Sequence, residues 1–202
     1  MTHLVGVVDY GAAGNVFSIA RALEIAGAHV RVIKQPKDLQ GISKLVMPGV
    51  GSFVDGMREL KASGMAEAIV EFADEGHPLL GICLGMQVLS KIGFEYGVTS
   101  GLGLINGEVR QMLCDSVVPH MGFNNLSVVG ESALLKGITP QDLFYFMHSY
   151  EVQAYTNIIS LSTYGGHQFV SGVQSENVFG LQFHPEKSRQ VGVRVFENFL
   201  SV

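Results

Sequence analysis

The chain has 202 residues, of which 47% are hydrophobic and only 15% are charged, and its formal net charge is −5. It contains 25 glycines but only 6 prolines, with no glycine period, which excludes collagen-like and disordered classes and predicts a single globular domain over residues 1–202. Lys and Arg total 13 against 18 Asp and Glu, without a basic run, so we expect no nucleic-acid partner.

The N-terminus and the cysteines point to the cytoplasm. The first nine residues lack the basic region of a signal peptide, and no run of about 18 apolar residues follows, so we expect no membrane association. Cys83 and Cys114 are the only cysteines, too few for a disulfide framework. The sequence therefore predicts a cytoplasmic protein with reduced thiols.

Short apolar runs alternate with helical patterns through the first half of the chain. They predict strands at 4–8, 29–33, 44–47 and 78–83, and helices at 16–25, 55–74 and 84–92. The pair Ala26-Gly27 closes the first helix, and Gly64 weakens the second. This alternation is typical of βαβ units, so we predict an α/β fold with a mainly parallel central sheet and helices on both faces.

From about residue 101 to 173 the pattern changes to short β-like stretches. These lie at 125–129, 143–147 and 158–161, separated by Gly, Asn and Ser. A last strand at 179–183 precedes a closing helix that is marked by apolar residues 191, 195 and 199. We therefore expect additional antiparallel strands. Ligands of such sheets bind at the carboxyl ends of strands, where Cys83 and His184 both stand.

Cys83 lies in the pattern Gly81-Ile82-Cys83-Leu84-Gly85, the thiol counterpart of the G-x-S-x-G elbow that carries a nucleophile on a strained strand-to-helix turn. Glycines two residues before and after it remove side chains that would collide across the turn. The following helix directs amide N–H groups and its positive end at the sulfur, which stabilises a thiolate. Cys83 is thus the candidate nucleophile. Cys114 has neither feature and is interpreted as structural.

A cysteine nucleophile needs a base, because an ordinary thiol has a pKa near ~8.5. His184 ends a strand and is followed by Pro185 and Glu186. An extended backbone can bring the Glu186 carboxylate to the imidazole and fix its tautomer. The sequence therefore predicts a catalytic triad of Cys83, His184 and Glu186.

The remaining glycine and histidine patterns are weaker. The segment 48–52, Pro-Gly-Val-Gly-Ser, could supply backbone N–H groups to an oxyanion or be a plain turn. Gly11 and Gly14 lack the spacing of a dinucleotide-binding loop. Single histidines without partners at metal-ligand spacing are His3, His29, His77 and His167. We expect neither a metal nor an organic cofactor.

The segments Gly81–Gln87 and Phe183–Lys187 together resemble the signature pair of the class I, or triad, glutamine amidotransferases. Within that family, four further segments are similar to the glutaminase subunits of imidazole glycerol phosphate synthases. They are Asp9-Tyr10-Gly11 with Gly14-Asn15, Pro48–Phe53, Pro119–Asn124 and Tyr145–Tyr150. The resemblance thus covers almost the whole chain.

This resemblance implies hydrolysis of glutamine to glutamate and ammonia through a γ-glutamyl thioester on Cys83, with the ammonia passed to a (β/α)₈-barrel synthase subunit. Ammonia would react there with a phosphoribulosyl formimino intermediate, giving imidazole glycerol phosphate for histidine biosynthesis and an aminoimidazole carboxamide ribotide. The backbone around Gly51 and Leu84 would form the oxyanion hole. The residues near the bound glutamine would be Gln87, Glu95, Ser149 and Tyr150. Those on or near the partner interface would be Asn15, Phe123, Asn124, Tyr145 and Lys187.

Two departures from the family pattern leave the ammonia acceptor open. The loop from Tyr10 to Asn15 is one residue longer than usual, and position 123 is Phe where the family commonly has Trp. One alternative is a paralogous subunit that feeds ammonia to a sugar acceptor in surface-polysaccharide synthesis. Another is a non-catalytic scaffold, against which the intact triad argues.

Overall fold

The computed structural model describes residues 4–11, 15–154 and 156–202, so the predictions for His3 and Gly14 lie outside the described residues. The strands are β1 Leu4–Val8, β2 His29–Ile33, β3 Lys44–Met47, β4 Leu79–Ile82, β5 Ser90–Gly93, β6 Thr99–Ser100, β7 Ile105–Gln111, β8 His120–Asn125, β9 Ser127–Val128, β10 Leu143–His148, β11 Tyr150–Ala154, β12 Ile158–Tyr164, β13 His167–Ser175 and β14 Val178–Leu181. The helices are α1 Val16–Ile25, α2 Phe53–Ala62, α3 Met65–Asp74, α4 Leu84–Val88 and α5 Arg189–Leu200.

Eight strands form one large sheet in the order β2-β1-β3-β4-β14-β13-β12-β9. The first five are parallel, and β13, β12 and β9 extend the sheet in antiparallel fashion. β2 lies on one side of β1, whereas β3 and β4 lie on the other. Right-handed connections therefore place α1 and the α2–α3 pair on opposite faces. The predicted class of fold is confirmed.

Two smaller sheets complete the architecture and correct one predicted helix. One has the order β11-β7-β5-β6, and the other is the antiparallel pair of β10 and β8. The helix predicted at 84–92 is wrong beyond Val88, because Ser90–Gly93 is a strand that pairs with β7 and β6. Pairing on both sides overrides the local helix propensity there.

The helix predicted at 55–74 is instead two helices, α2 and α3. Gly64 separates them in a left-handed conformation with φ of 72°, a region that glycine adopts without steric cost. The weakening that the sequence indicated at this glycine is thus a complete break.

Buried apolar side chains form one connected cluster that runs from β1 to α5. β3, β4 and β14 are buried along their whole length, as expected for strands covered on both faces. No helix in the described part of the chain is long and apolar enough to cross a membrane.

The pairing of β4 with β14 positions the predicted nucleophile and base. These strands are parallel neighbours, and Ile82 is opposite Leu181 in their register. Cys83 follows β4 directly, and its N–H donates to the Leu181 carbonyl at 2.7 Å. His184 comes three residues after Leu181. Two residues that are about a hundred positions apart in the sequence therefore meet at the carboxyl edge of the sheet.

Candidate active site

Cys83 occupies a strained turn between β4 and α4. Its φ of 54° and ψ of −112° are values that a residue with a Cβ rarely adopts. A Cβ on Gly81 would lie 2.7 Å from the carbonyl of Gly85, and one on Gly85 would lie 1.9 Å from the Met47 carbonyl oxygen. Gly81 thus avoids a collision within the turn, while Gly85 lets the elbow pack against the end of β3.

His184 and Glu186 form a buried pair beside this turn. The Nδ1 atom of His184 lies 2.8 Å from Oε1 of Glu186, and the two side chains are 1% and 0% exposed. Asn15 donates from Nδ2 to the same carboxylate oxygen at 2.9 Å. Because the carboxylate only accepts, Nδ1 carries the proton and Nε2 is the free basic nitrogen. The contact fixes the tautomer that a general base requires.

The electrostatics of His184 favour its charged form. Burial alone lowers the pKa of His184, but hydrogen bonding with Cys83 and Glu186 outweighs burial and raises that pKa to about 10. The Nε2 atom has no hydrogen-bond partner of ordinary geometry among the described residues, and the group with which it interacts is the Cys83 thiol. The arrangement therefore favours an imidazolium at His184, next to the Cys83 sulfur.

The backbone of His184 is held by the neighbouring strand β10. Its N–H donates to the Tyr145 carbonyl at 2.8 Å. The Ser188 hydroxyl donates to the His184 carbonyl at 2.6 Å and accepts the Tyr145 N–H at 3.0 Å. These bonds fix the imidazole relative to β10, although β14 has already ended at Leu181.

A cavity of about 320 Å³ opens in front of the Cys83 sulfur. Its lining includes all four residues predicted to contact glutamine and both predicted oxyanion residues: Gln87, Glu95, Ser149, Tyr150, Gly51 and Leu84. Such a cavity, with a nucleophile on its wall and polar groups around it, is what a small polar substrate needs. The structure thus brings these predicted residues together around one space.

Two of these lining side chains, the carboxylate of Glu95 and the amide of Gln87, already have hydrogen-bond partners within the chain. Glu95 accepts the Phe53 N–H at 2.7 Å, and burial raises its pKa. Gln87 donates from Nε2 to the Tyr150 carbonyl at 3.0 Å and to Oε1 of Gln182 at 3.2 Å. Both side chains are more than 90% buried, so their positions are fixed before any ligand enters.

The predicted oxyanion segment passes close to the elbow. Gly51 has a φ of 103° that suits glycine, and Leu84 is the first residue of α4. The buried hydroxyl of Tyr10 donates to the Pro48 carbonyl at 2.8 Å, and a Cβ on Gly49 would lie 3.0 Å from the Gly85 nitrogen. The segment 48–51 is therefore tied both to the loop after β1 and to α4.

The predicted partner residues form an exposed aromatic and cationic face. Phe123 on β8 is 45% exposed and meets the Tyr145 ring edge-on at 5.4 Å. Lys187 lies over the Tyr145 ring at 5.6 Å, and Arg189 lies over the Phe123 ring at 5.1 Å. We call Phe123, Tyr145, Lys187 and Arg189 the aromatic face. Asn124, by contrast, donates to the Thr163 carbonyl at 2.9 Å.

Sequence reasoning missed polar residues around the nucleophile. Gln182 is fully buried, and its Nε2 lies 3.7 Å from the Cys83 sulfur. His120 and His148 are buried with ring nitrogens 3.1 Å apart, and Nδ1 of His148 lies 2.9 Å from the Tyr150 carbonyl oxygen. A glutamine inside the otherwise apolar segment 179–183 was the one signal in the sequence for Gln182.

The described residues hold no group of three or more His, Cys, Asp or Glu side chains that could bind a metal ion. His167 is paired with the buried Glu151, with 2.9 Å between its Nε2 and a carboxylate oxygen. Both cysteines are free thiols. The site chemistry is therefore that of a buried thiol, an imidazole and a carboxylate.

Comparison with known proteins defines the class. The sequence pattern of the family "Glutamine amidotransferase class-I" matches residues 7–202. A structure of PurLQS from Thermotoga maritima superimposes with a TM-score of 0.80 at 22% identity, covering 100% of this chain and 99% of that one. A crystal structure of a glutamine amidotransferase gives a TM-score of 0.75 at 20% identity, covering 98% of this chain and 99% of the other. Both structures share the fold.

Curated relatives narrow this class. A protein of Campylobacter jejuni named imidazole glycerol phosphate synthase subunit HisH 1 is 43% identical over 97% of this chain and 98% of its own length. The subunit HisH of Wolinella succinogenes is 41% identical over 98% and 100%, and that of Desulfitobacterium hafniense is 41% identical over 97% and 93%. The chain therefore belongs to the class-I glutamine amidotransferases and, within them, to the family of imidazole glycerol phosphate synthase HisH subunits.

Proposed function

We propose that this chain is the glutaminase subunit of an imidazole glycerol phosphate synthase, with Cys83, His184 and Glu186 as its catalytic triad. The observation that carries the proposal is the strained Cys83 turn, which holds a thiol beside a buried His184–Glu186 pair and in front of a polar cavity. The names of relatives at 41–43% identity over nearly the full length support histidine biosynthesis as the pathway. They give no support to a sugar acceptor.

The reaction follows from the order of these groups. The Cys83 thiolate attacks the side-chain carbonyl carbon of L-glutamine, and the resulting oxyanion is held by backbone N–H groups around Gly51 and Leu84. Imidazolium His184 protonates the amide nitrogen, so the C–N bond breaks and ammonia leaves. Water deprotonated by His184 then hydrolyses the γ-glutamyl thioester, which releases glutamate and regenerates the thiol. Each turnover consumes one water, and the chemistry uses no metal or cofactor.

Substrate binding uses the walls of the cavity. The carboxylate of Glu95 faces the amino group of the bound glutamine, and Gln87, Ser149 and Tyr150 surround its backbone groups. The charged amino group of an amino acid is a good partner for a buried carboxylate, because such a charge-assisted hydrogen bond is about twice as strong as a neutral one. Shape and charge together select an α-amino acid with a side-chain amide.

The partner in this proposal is a (β/α)₈-barrel synthase subunit that forms a heterodimer with this chain and receives the ammonia. Exposed aromatic and arginine side chains are typical anchors of protein interfaces, and the aromatic face provides both beside the triad. The proposal also assigns Asn15, which donates to Glu186, and Asn124, which donates to the Thr163 carbonyl, to this interface. In the barrel, ammonia reacts with the phosphoribulosyl formimino intermediate to give imidazole glycerol phosphate and aminoimidazole carboxamide ribotide.

The proposal also includes one domain and a cytoplasmic location. The connected buried cluster from β1 to α5 supports action as one unit. Two free thiols, one of them a nucleophile, require a reducing compartment to stay active.

Reconstitution with the barrel subunit of the same organism tests this function. We expect the complex to form imidazole glycerol phosphate from either glutamine or an ammonium salt. Cys83→Ala should abolish the glutamine-dependent rate, by about 10³-fold or more, and leave the ammonia-dependent rate unchanged, because only ammonia release needs the thiolate.

Cys114→Ala is the matched control and should retain both rates. Equal loss of both activities in Cys83→Ala would contradict the division of labour between the two subunits. A wild-type complex without turnover from either nitrogen source would contradict the assigned pathway.

A further inference from the structure

Gln182 lies behind the nucleophile, in a place where an amide side chain is costly unless it is fully bonded. It is 0% exposed, and its backbone N–H donates to the Ser171 carbonyl at 3.0 Å. Its side-chain Nε2 lies 3.7 Å from the Cys83 sulfur, while its Oε1 accepts from Gln87 at 3.2 Å. The side chain therefore connects the sulfur to the wall of the cavity.

The orientation of this amide is fixed by hydrogen-bond logic. The Tyr150 carbonyl can only accept, so the Gln87 atom at 3.0 Å from it must be the NH₂ group. That same NH₂ group faces Gln182, which must present its oxygen there. The NH₂ group of Gln182 is thus directed at Cys83, and the reverse orientation would oppose two donors.

The sulfur consequently meets groups that prefer different protonation states. The Met147 carbonyl lies 3.8 Å from the sulfur and accepts only from the neutral thiol. His184 and the Gln182 NH₂ group both favour the thiolate, since each offers a proton to the sulfur. An amide donor keeps its proton at every pH used in an assay, so its effect on the sulfur is permanent, unlike that of an imidazole.

We propose that Gln182, aligned by Gln87 and the Tyr150 carbonyl, is a hydrogen-bond donor that stabilises the Cys83 thiolate and holds its sulfur toward the cavity. This role deepens the proposed glutaminase function and rests on it for its catalytic meaning. It also assigns Gln87 a second task, because the same amide that lines the substrate cavity orients Gln182.

Other titratable groups surround the thiol and contribute to any pH profile. His184 interacts with the sulfur directly, and Glu186 acts through His184. Burial raises the pKa of the Tyr10 hydroxyl, and the charge of the nearby Cys83 raises it further. His148 from β10 is electrostatically coupled to His184. Gln182 can be tested separately from all of them because it does not titrate.

The experiment compares the alkylation of Cys83 by iodoacetamide from pH 5 to 10 in the wild-type chain and in Gln182→Met. Methionine has a similar length but donates no hydrogen bond. We expect the rate at pH 7 to fall by about three- to tenfold and to converge with the wild type at high pH, since the variant raises the apparent pKa of the thiol. In the complex, the acid limb of the kcat/KM profile should move to higher pH with KM nearly unchanged.

Gln168→Met, on the exposed part of β13, is the matched control and should leave both profiles as they are. Superimposable alkylation profiles of Gln182→Met and wild type would overturn the proposal. If Gln182→Met fails to fold, side-chain amide NMR of the wild-type chain decides. A Gln182 NH₂ resonance that shifts with the thiolate fraction supports the contact, and a resonance that ignores it refutes it.

Alkylation measures thiol acidity without glutamine turnover, so the two proposals fail separately. A shifted alkylation profile in a chain that lacks glutaminase activity would retain the Gln182 contact and reject the proposed function. An unshifted profile in an active enzyme would do the reverse.

Discussion

The triad and the aromatic face occupy opposite sides of one short stretch of chain. Phe183 and His184 are at most 1% exposed, and the Glu186 carboxylate is fully buried, with its Oε1 atom bonded to two donors. One residue later, Lys187 reaches the half-exposed face beside Tyr145. The buried side chains of His184 and Glu186 are held by a specific hydrogen bond to each other, whereas the exposed residues mainly make ring contacts. Buried polar groups that keep some hydrogen-bonding capacity unused, as His184 Nε2 and Glu186 Oε2 do among the described residues, are typical of a reaction centre. Exposed aromatic area is typical of a surface that another protein covers.

Tyr145 links these two regions. Its carbonyl accepts the His184 N–H, while its ring carries the contacts with Phe123 and Lys187. The backbone of one residue thus serves catalysis and its side chain serves the surface. Substitutions that remove only side chains should therefore separate chemistry from partner binding.

Glu186→Gln should give the largest change on the buried side. The amide keeps the shape of the carboxylate but no longer fixes the tautomer of His184 or stabilises its imidazolium. We expect kcat for glutamine hydrolysis in the complex to fall by about 10²- to 10⁴-fold, with a much smaller change in partner affinity. Glu197→Gln, on the exposed side of α5, should match the wild type. A wild-type rate of glutamine hydrolysis in Glu186→Gln would show that catalysis does not need the carboxylate.

Phe123→Ala tests the exposed side. Truncation of an anchoring aromatic should raise the Kd for the barrel subunit by about tenfold or more, measured by calorimetry. The alkylation rate of Cys83 in the isolated chain should not change, because Phe123 does not contact the triad. Ile25→Ala, which removes another exposed apolar side chain at the end of α1, serves as control. A slowed alkylation at constant Kd would reverse the assignment of the two regions.

The buried histidine pair predicts a smaller, pH-dependent effect. Burial lowers the pKa of His120 to about 4 and that of His148 to about 3, whereas both groups titrate near 6.5 in the unfolded chain. The unfolded chain therefore binds more protons below pH 6.5, and stability is lost as pH falls toward 4. His184, with its raised pKa, is protonated in both states below pH 6.5 and adds no loss there.

We expect the free energy of unfolding to decrease by about 3 kcal/mol between pH 7 and 5, measured by urea denaturation. His120→Phe should reduce this pH dependence, whatever its effect on absolute stability, and His29→Gln, at an exposed position, should preserve it. A pH dependence that is identical in His120→Phe and wild type would show that the pair is not its source.

The sequence predicted those parts of the molecule whose signals are local. β1, β2 and β3 have their predicted bounds, because each is a short stretch rich in Val, Leu or Ile between turn residues. The elbow is visible because its glycines stand at fixed spacing around Cys83, and Gly81 is required by a contact with Gly85 only four residues along the chain. The pairing of His184 with Glu186 is local as well, since it spans two residues, although Pro185–Lys187 is a short 3₁₀ helix and not the extended backbone that the sequence predicted.

Features that depend on distant segments were not predictable in this way. The strand β5 was predicted as helix because its pairing with β6 and β7 is decided by tertiary contacts. Gln182 and His148 lie near the Cys83 site only because β4, β10 and β14 come together there, and the sequence does not show this. The spacing of His120 and His148 along the chain does not predict their hydrogen bond, because that contact depends on the pairing of β8 with β10.

The central claim is that Cys83 is a nucleophile that attacks glutamine. Its most direct test is incubation of the complex with a chloroketone analogue of glutamine, followed by peptide mapping. We predict stoichiometric label on Cys83, none on the half-buried Cys114, and protection by excess L-glutamine. Absence of label on Cys83, or equal labelling of both cysteines that glutamine does not prevent, would contradict the account.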